Sequence, residues 1–512
     1  MLFSVTSFWF LIFLVVSLAV YYLSGPKIQW LPLLVSSLVF VFLYDGLSVF
    51  PLLFACVAIP YVSSVLMQRF NGRQTVRKII VYTAVISELL LLFMFKIYDS
   101  ISVVLNEILS GRYFISPISS DSYLIPIGMS YFAISAVGYI LDAYWGEEEQ
   151  EHRFLKVSLF LIYFPQLVSG PFVRYEDQRE QLFTFHKFNF DSIVRGFERF
   201  LWGCFKKLVI ADRIAVVTGN IFFDWNRFTG FYIIFGVCCF AFQLYADFSG
   251  CMDIMLGVSE MFQITLPENF KRPFFSTSYA EFWRRWHITL GTWAKDYVLY
   301  PLLKTKPFVR MGKVAKARWG KKTGREIPTY AGMIIIWFLI GLWHGGSAKF
   351  MFCSGFIPCV YLLGGRILSP YLLKLTQLLG IKTDCFSYRL FLRIRTTILV
   401  MSTWLIMASG SFLSSLQKFR QIIPLNNPYI FFGKNLESTG LDGKDFLLLW
   451  ICLLIVFVVD TMEEHGIDVR KSLSGQNTVF RWMVLYALMF AVIVFGKYGP
   501  GYNAADFIYG GM

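Results

Sequence analysis

Residues Ile327–Phe350 read IPTYAGMIIIWFLIGLWHGGSAKF, and the fold is decided by how this stretch is read. An apolar run ends in an ionisable ring, His344, and two glycines follow at once. Pro328 to His344 is sixteen residues, about 24 Å if helical, so the ring lies within a hydrocarbon layer about 30 Å thick. Gly345 and Gly346 can break the helix there and admit a ligand or another backbone. A neutral imidazole in such a place can serve as a base at neutral pH. It can equally be a histidine that bonds a backbone carbonyl in a helix break, and the residues alone leave both readings open.

The rest of the chain agrees with a lipid setting. Of its 512 residues 56% are hydrophobic and only 16% charged, against about 25% charged in an average globular chain. Apolar runs of bilayer length recur near 3–24, 29–44, 48–67, 79–97, 123–144, 155–173, 229–250, 348–368, 392–413, 445–460 and 479–497. A shorter run covers 327–343. The pattern predicts an all-α, polytopic membrane protein with about eleven spanning helices, because lipid leaves backbone groups no other partner. The first segment lacks a basic n-region and is too long for a signal peptide, so it reads as a retained helix.

The net charge of +14 does not indicate nucleic-acid binding, because the cations sit between apolar runs, where they set topology. Loop 68–78 carries four basic residues and loop 304–325 carries nine with no acid. Both are expected on the cytoplasmic side, with the N-terminus outside. The second is a topology signal touching anionic lipid, or an attractor for an anionic substrate. Nine cysteines show neither CxxC nor zinc-ligand spacing, so none is assigned to redox or metal work.

Ionisable residues at membrane depth are costly and mark sites. The chain offers Glu88, Asp142, Asp247, Asp253, Asp460 and His344. Glu88 is expected to bond a neighbouring helix, and Asp142 to face the interface. Asp247 lies with Gln243, Tyr245, Ser249 and Asp253 in FQLYADFSGCMD, where four-residue spacings give polar stripes and Gly250 permits close helix approach. That seam either packs helices or lines a cavity. Downstream, SYAEFWRRWHITLGTWAKDY (Ser278–Tyr297) has Ser278 and Glu281 at capping-box spacing. Its aromatics and cations predict an interfacial helix containing His287.

EFWRRWHITL, then GLWHGG 57 residues after its histidine, resembles the paired-histidine signature of the membrane-bound O-acyltransferases (MBOAT), in particular the bacterial alginate O-acetyltransferase-like branch. Stretches 126–146, 163–182, FKKLVIADRIA (205–215), YADFSGCMDIMLG (245–257), LPENFKRPF (266–274), DYVLYPL (296–302) and the ending ADFIYGG fit as well. The resemblance implies one membrane domain over 1–512, with N-terminal helices in 1–122, the catalytic core in 123–346 and further helices in 347–512. Interfacial or re-entrant helices would surround a central tunnel.

It also implies transfer of an acyl group, acetyl by preference, from a cytoplasmic thioester to an extracytoplasmic hydroxyl. His344 would be the catalytic base and His287 its second catalytic member. Trp286, Arg284, Arg285, Trp343, Asp247, Ser249 and Asn269 are the substrate-binding candidates. The co-substrate would be acetyl-CoA or another acyl thioester, with no bound cofactor or metal. The expected partners are membrane lipid and an extracytoplasmic SGNH-type acetyltransferase, in a bacterial cytoplasmic membrane. D-alanyl transfer to teichoic acid is the nearby alternative, and a proton-coupled transporter the distant one. The chain departs from the family pattern in its basic segment after DYVLYPL, in Cys251, and in GSAKFMFCSGF, where relatives show small and tryptophan positions.

Overall fold

The computed structural model describes residues 3–109, 127–146, 151, 153–168, 170–223 and 227–498, with side chains of 95–109 excluded. The ADFIYGG ending and the start of the 123–144 run lie outside them. Among the described residues every regular element is helical apart from one isolated antiparallel bridge, Phe270 to Trp286. The protein is a multi-pass membrane protein. Among the described residues seven helices are long and apolar enough to cross a bilayer: Leu47–Arg69, Phe231–Met261, Lys306–Trp343, Ala348–Leu378, Phe386–Ala408, Gly443–Glu464 and Thr478–Phe495. Phe8–Leu23 and Trp30–Asp45 are shorter apolar helices, and Gln74–Leu109 covers the expected 79–97 run.

Three expectations are corrected. The 155–173 run is no single span. It breaks at Tyr163 into Phe154–Ile162 and Phe164–Leu167, and nine residues reach only about 13 Å. The basic loop 304–325 is helical from Lys306 onward, reversing at Gly320 with φ 88° and ψ 173°. Its two legs touch where Gly312 meets the carbonyl of Gly324, and all nine cations face outward. Hydropathy also passed over the helical run Phe190–Cys204, Phe205–Ala211 and Asp212–Phe223, whose middle is a π-helical turn. Its charges disguised it.

The chain forms two compact units, Met1–Phe200 with Met252–Pro267, and Leu201–Cys251 with Glu268–Met512. In the first, Gly196 packs on the carbonyl of Gly257, and Arg199 pairs with Asp253 at 3.0 Å. Asp142 is buried rather than interfacial. Glu88 is fully buried, and its carboxylate has no hydrogen-bond partner among the described residues, contrary to expectation. Every sequence-derived site residue belongs to the second unit.

Candidate active site

The segment Ser278–Leu299 is not one interfacial helix. Ser278 caps Tyr279–Arg285 by accepting from the Glu281 amide at 3.2 Å. Glu281 reaches back to the amide and hydroxyl of Thr277, one residue before the cap. The helix stops at Arg285 because Trp286 is extended and His287 adopts φ 47°, ψ 52°. A left-handed backbone at a non-glycine residue is uncommon, and strain of this kind collects at functional sites. The chain then restarts as Ile288–Ala294.

A second strand of chain holds this break. Lys271 donates its amide to the carbonyl of Arg285 at 2.9 Å, and Ile288 to that of Asn269 at 3.0 Å. LPENFKRPF therefore runs antiparallel beside RRWHI. Asn269 Oδ1 accepts the amide and hydroxyl of Thr289, each at 3.0 Å, and faces His287 Nδ1 at 3.2 Å. An amide N–H can only donate, so the oxygen of Asn269 is correctly placed and His287 carries its proton on Nδ1. Nε2 then holds the lone pair. Burial pushes the His287 pKa down to about 3, since desolvation disfavours the charged ring, and the imidazole is neutral at physiological pH.

His344 arrives from a different direction. It closes the helix Lys306–Trp343, donating its amide to Ile340 at 3.0 Å. Gly345 (φ 134°) and Gly346 (φ 69°) turn the chain into the helix Ala348–Leu378. These two helices cross closely: a Cβ at Gly341 would meet the Cα atoms of Met351 and Gly355 at 3.2 and 3.3 Å. Both histidines are buried, and Trp343 joins them. Its ring centroid lies 4.8 Å from His344 and 6.4 Å from His287. Phe248 packs edge-on to His287 at 5.0 Å, and Phe350 stacks on His344 at 6.3 Å.

The other candidates divide. Trp286 is fully buried among Phe270, Phe282 and Trp404 at 4.9–5.6 Å. Its indole N–H has no acceptor among the described residues. Arg285 is engaged by Glu281 and, in bidentate fashion, by Glu464 at 2.7 and 3.0 Å. Arg272 joins that cluster through Glu463 and Glu464. Such an arrangement ties the histidine break to the end of the helix Gly443–Glu464 and occupies the guanidinium. Arg284 is exposed.

Asp247 and Ser249 flank Phe248 and face the π-helical turn. Lys207 lies 2.7 Å from Asp247 and 3.0 Å from Asp212, while Lys206 donates to Ser249 at 2.8 Å. Tyr245 donates to Asp460 at 3.0 Å, and Gly250 rests on the carbonyl of Gly203. The seam thus packs helices and aims Phe248 at His287. Lys206, Lys207, Trp404 and Phe350 escaped the sequence reading. The two lysines stand in FKKLVIADRIA, where two adjacent cations among apolar residues were the available signal; nothing in the sequence marks Trp404.

The family model of the membrane-bound O-acyltransferases matches residues 146–317. The chain is 30% identical to the probable alginate O-acetylase AlgI of Pseudomonas syringae, over 80% of this chain and 72% of that protein. It is 34% identical to the protein of the same description from Pseudomonas aeruginosa, over 69% of this chain but 63% of the relative's length. With the teichoic acid D-alanyltransferase of Bacillus subtilis it shares 27% identity over 44% of this chain and 55% of the relative.

Proposed function

The chain belongs to the membrane-bound O-acyltransferase family, and from that premise we propose that it passes an acetyl group from a thioester to a hydroxyl acceptor of the cell envelope. The observation that carries this reading is the convergence of His344 and His287 on Trp343, with the proton of His287 fixed on Nδ1.

A hydroxyl is a weak nucleophile, and a positioned imidazole overcomes this by taking its proton as it attacks. In the proposed step His344 accepts the proton. The hydroxyl oxygen bonds to the thioester carbonyl carbon, and the carbon–sulfur bond breaks. The proton returns from His344 to the departing thiolate. His287 suits a different task. A ring whose conjugate acid is so disfavoured is a poor proton acceptor, but its Nε2 lone pair can orient a hydroxyl. Trp286 offers a buried indole donor, the kind of group that stabilises charge developing on a carbonyl oxygen.

Acetyl-CoA, or another acyl thioester, is the proposed co-substrate. The proposed setting is a bacterial cytoplasmic membrane, with the acceptor a polysaccharide hydroxyl or an extracytoplasmic SGNH-type partner. D-alanyl transfer is the second reading, favoured by the match to a relative named for it; the acetyl reading has the longer match. Membrane vesicles bearing the full chain decide between them. Supplied with radiolabelled acetyl-CoA, they should label envelope polymer or partner more strongly than empty vesicles do. Label incorporated only from a D-alanyl carrier thioester would reverse the choice.

A further inference from the structure

Two arginines of the helix Phe386–Ala408 stand inside a membrane span. Both reach the loop that precedes the histidine break. The Arg393 guanidinium lies 5.1 Å from the centroid of Phe275, and Arg395 donates to the carbonyl of Thr277 at 2.9 Å. Neither has a carboxylate partner among the described residues. The nearby acids are already taken, because Arg285 and Arg272 hold Glu281, Glu463 and Glu464. A guanidinium is always charged, and two such cations within a span are unfavourable without a counter-charge.

A second set of groups lies beside them. The Nε atoms of both arginines are buried without an acceptor, and the hydroxyls of Ser276 and Thr396 are buried without a partner, among the described residues. Ser276 and Thr396 are each 1% exposed. Ser276 stands between the residue that Arg393 covers and the one that Arg395 holds, and Thr396 follows Arg395 in the chain. Buried polar atoms ordinarily have partners, and all four of these groups can donate. The arginines themselves are half-buried, so a ligand can reach them. Clustered donors and positive charge without an acceptor fit an oxyanion, and the planar guanidinium fork matches phosphate.

The place of the cluster narrows the ligand. After the glycine turn the helix Ala348–Leu378 runs back along Lys306–Trp343, since Gly355 rests on the carbonyl of Trp337 and Arg366 lies over Tyr330. Phe386 therefore starts on the side of the basic stretch 304–325, which is expected to be cytoplasmic. From Arg395 to Trp404 is nine residues, about 14 Å along the helix. Trp404 packs on Trp286, the neighbour of His287, at 5.0 Å. We propose that Arg393, Arg395 and Ser276 form a phosphate-binding site, set about one extended pantetheine arm from the histidines. The chemistry recognised is a phosphate ester, carried by the acyl donor or by a phospholipid headgroup. The donor is the assigned source, and that part rests on the acyl transfer proposed above.

Binding to the full-length protein in detergent tests the site without turnover. Wild type should bind CoA more tightly than pantetheine, which lacks phosphate. Arg395→Gln and Arg393→Gln should each weaken CoA binding about tenfold or more, the scale of one charge-assisted contact, and leave pantetheine binding unchanged. Arg395→Lys should retain part of the affinity. Arg393 makes only a ring contact among the described residues, so Arg393→Gln carries the test should Arg395→Gln fold poorly. His344→Ala should bind CoA as wild type does, so a failed transfer assay leaves this result intact. A second arm measures retention of phosphatidylglycerol and of a neutral glycolipid by the purified protein. Loss of phosphatidylglycerol alone in the arginine variants, with CoA binding unchanged, keeps the phosphate site and overturns the donor assignment. Binding of CoA and retention of phosphatidylglycerol that are both indifferent to the arginine substitutions overturn the proposal.

Discussion

Asn269 Oδ1 lies 3.2 Å from Nδ1 of His287, and that contact fixes which imidazole nitrogen carries the proton. Thr289 clamps the same oxygen with two further donors, so Asn269 positions the His287 ring. Outer-shell partners of this kind cost about 10–100-fold when removed from metal-bound histidines, and a similar loss is expected here. Asn269→Ala should lower kcat for acyl transfer by about that factor with little change in KM. Asn269→Asp keeps an acceptor but adds charge, so it should move the pH profile. An Asn269→Ala profile with wild-type kcat would remove the residue from the site.

His287 also makes stability depend on pH. Its pKa is lowered to about 3 by burial, whereas an unfolded imidazole titrates near 6.5. The folded state therefore binds fewer protons. The stabilisation is complete above about pH 6.5 and shrinks as pH falls toward 3, by about 1.4 kcal/mol per pH unit. Melting of the detergent-solubilised protein between pH 7 and 4 should steepen for wild type relative to His287→Gln. Parallel curves would contradict the burial of a neutral ring.

The Lys207 ammonium sits between Asp247 and Asp212, and all three are buried. Removing the cation strands two carboxylates, a loss of about 3–5 kcal/mol for a broken buried pair. Lys207→Met should fold poorly, and adding Asp247→Asn should recover part of the lost melting temperature. If Lys207→Met alone melts like wild type, the network is not structural.

Gly341 permits the close crossing that presents His344. A methyl group there meets backbone Cα atoms at 3.2 and 3.3 Å, so Gly341→Ala must shift the helices, at about 1–3 kcal/mol. Activity should fall while the protein still inserts, as read by vesicle transfer assays beside membrane yield. Gly364, with nothing within 4 Å of a Cβ, is the matched control and should tolerate alanine.

Most of the architecture was legible because spanning helices announce themselves as apolar runs, and His344 was legible because a ring at the end of such a run is costly. Where charge and depth coincide, the same rule fails. The run 190–223 went unread as a helix because Lys206, Lys207, Asp212 and Arg213 looked soluble, although Ser249, Asp247 and Asp445 meet the three cations and Lys207 meets Asp212. The break at His287 was likewise hidden. Its cause is Asn269, 18 residues upstream, and the aromatic periodicity of FWRRWHITLGTW reads as one continuous helix. Arg285 reads from the sequence as a substrate-binding candidate, but Glu464, far along the chain, holds its guanidinium.

The most direct test replaces His344 and His287 singly in the full-length chain and measures thioester-dependent acyl transfer in vesicles with matched protein content. His344→Ala should abolish transfer, and His287→Ala should impair it severely with a measurable remainder. Transfer by His344→Ala at the wild-type rate would contradict the central claim that this imidazole takes the hydroxyl proton.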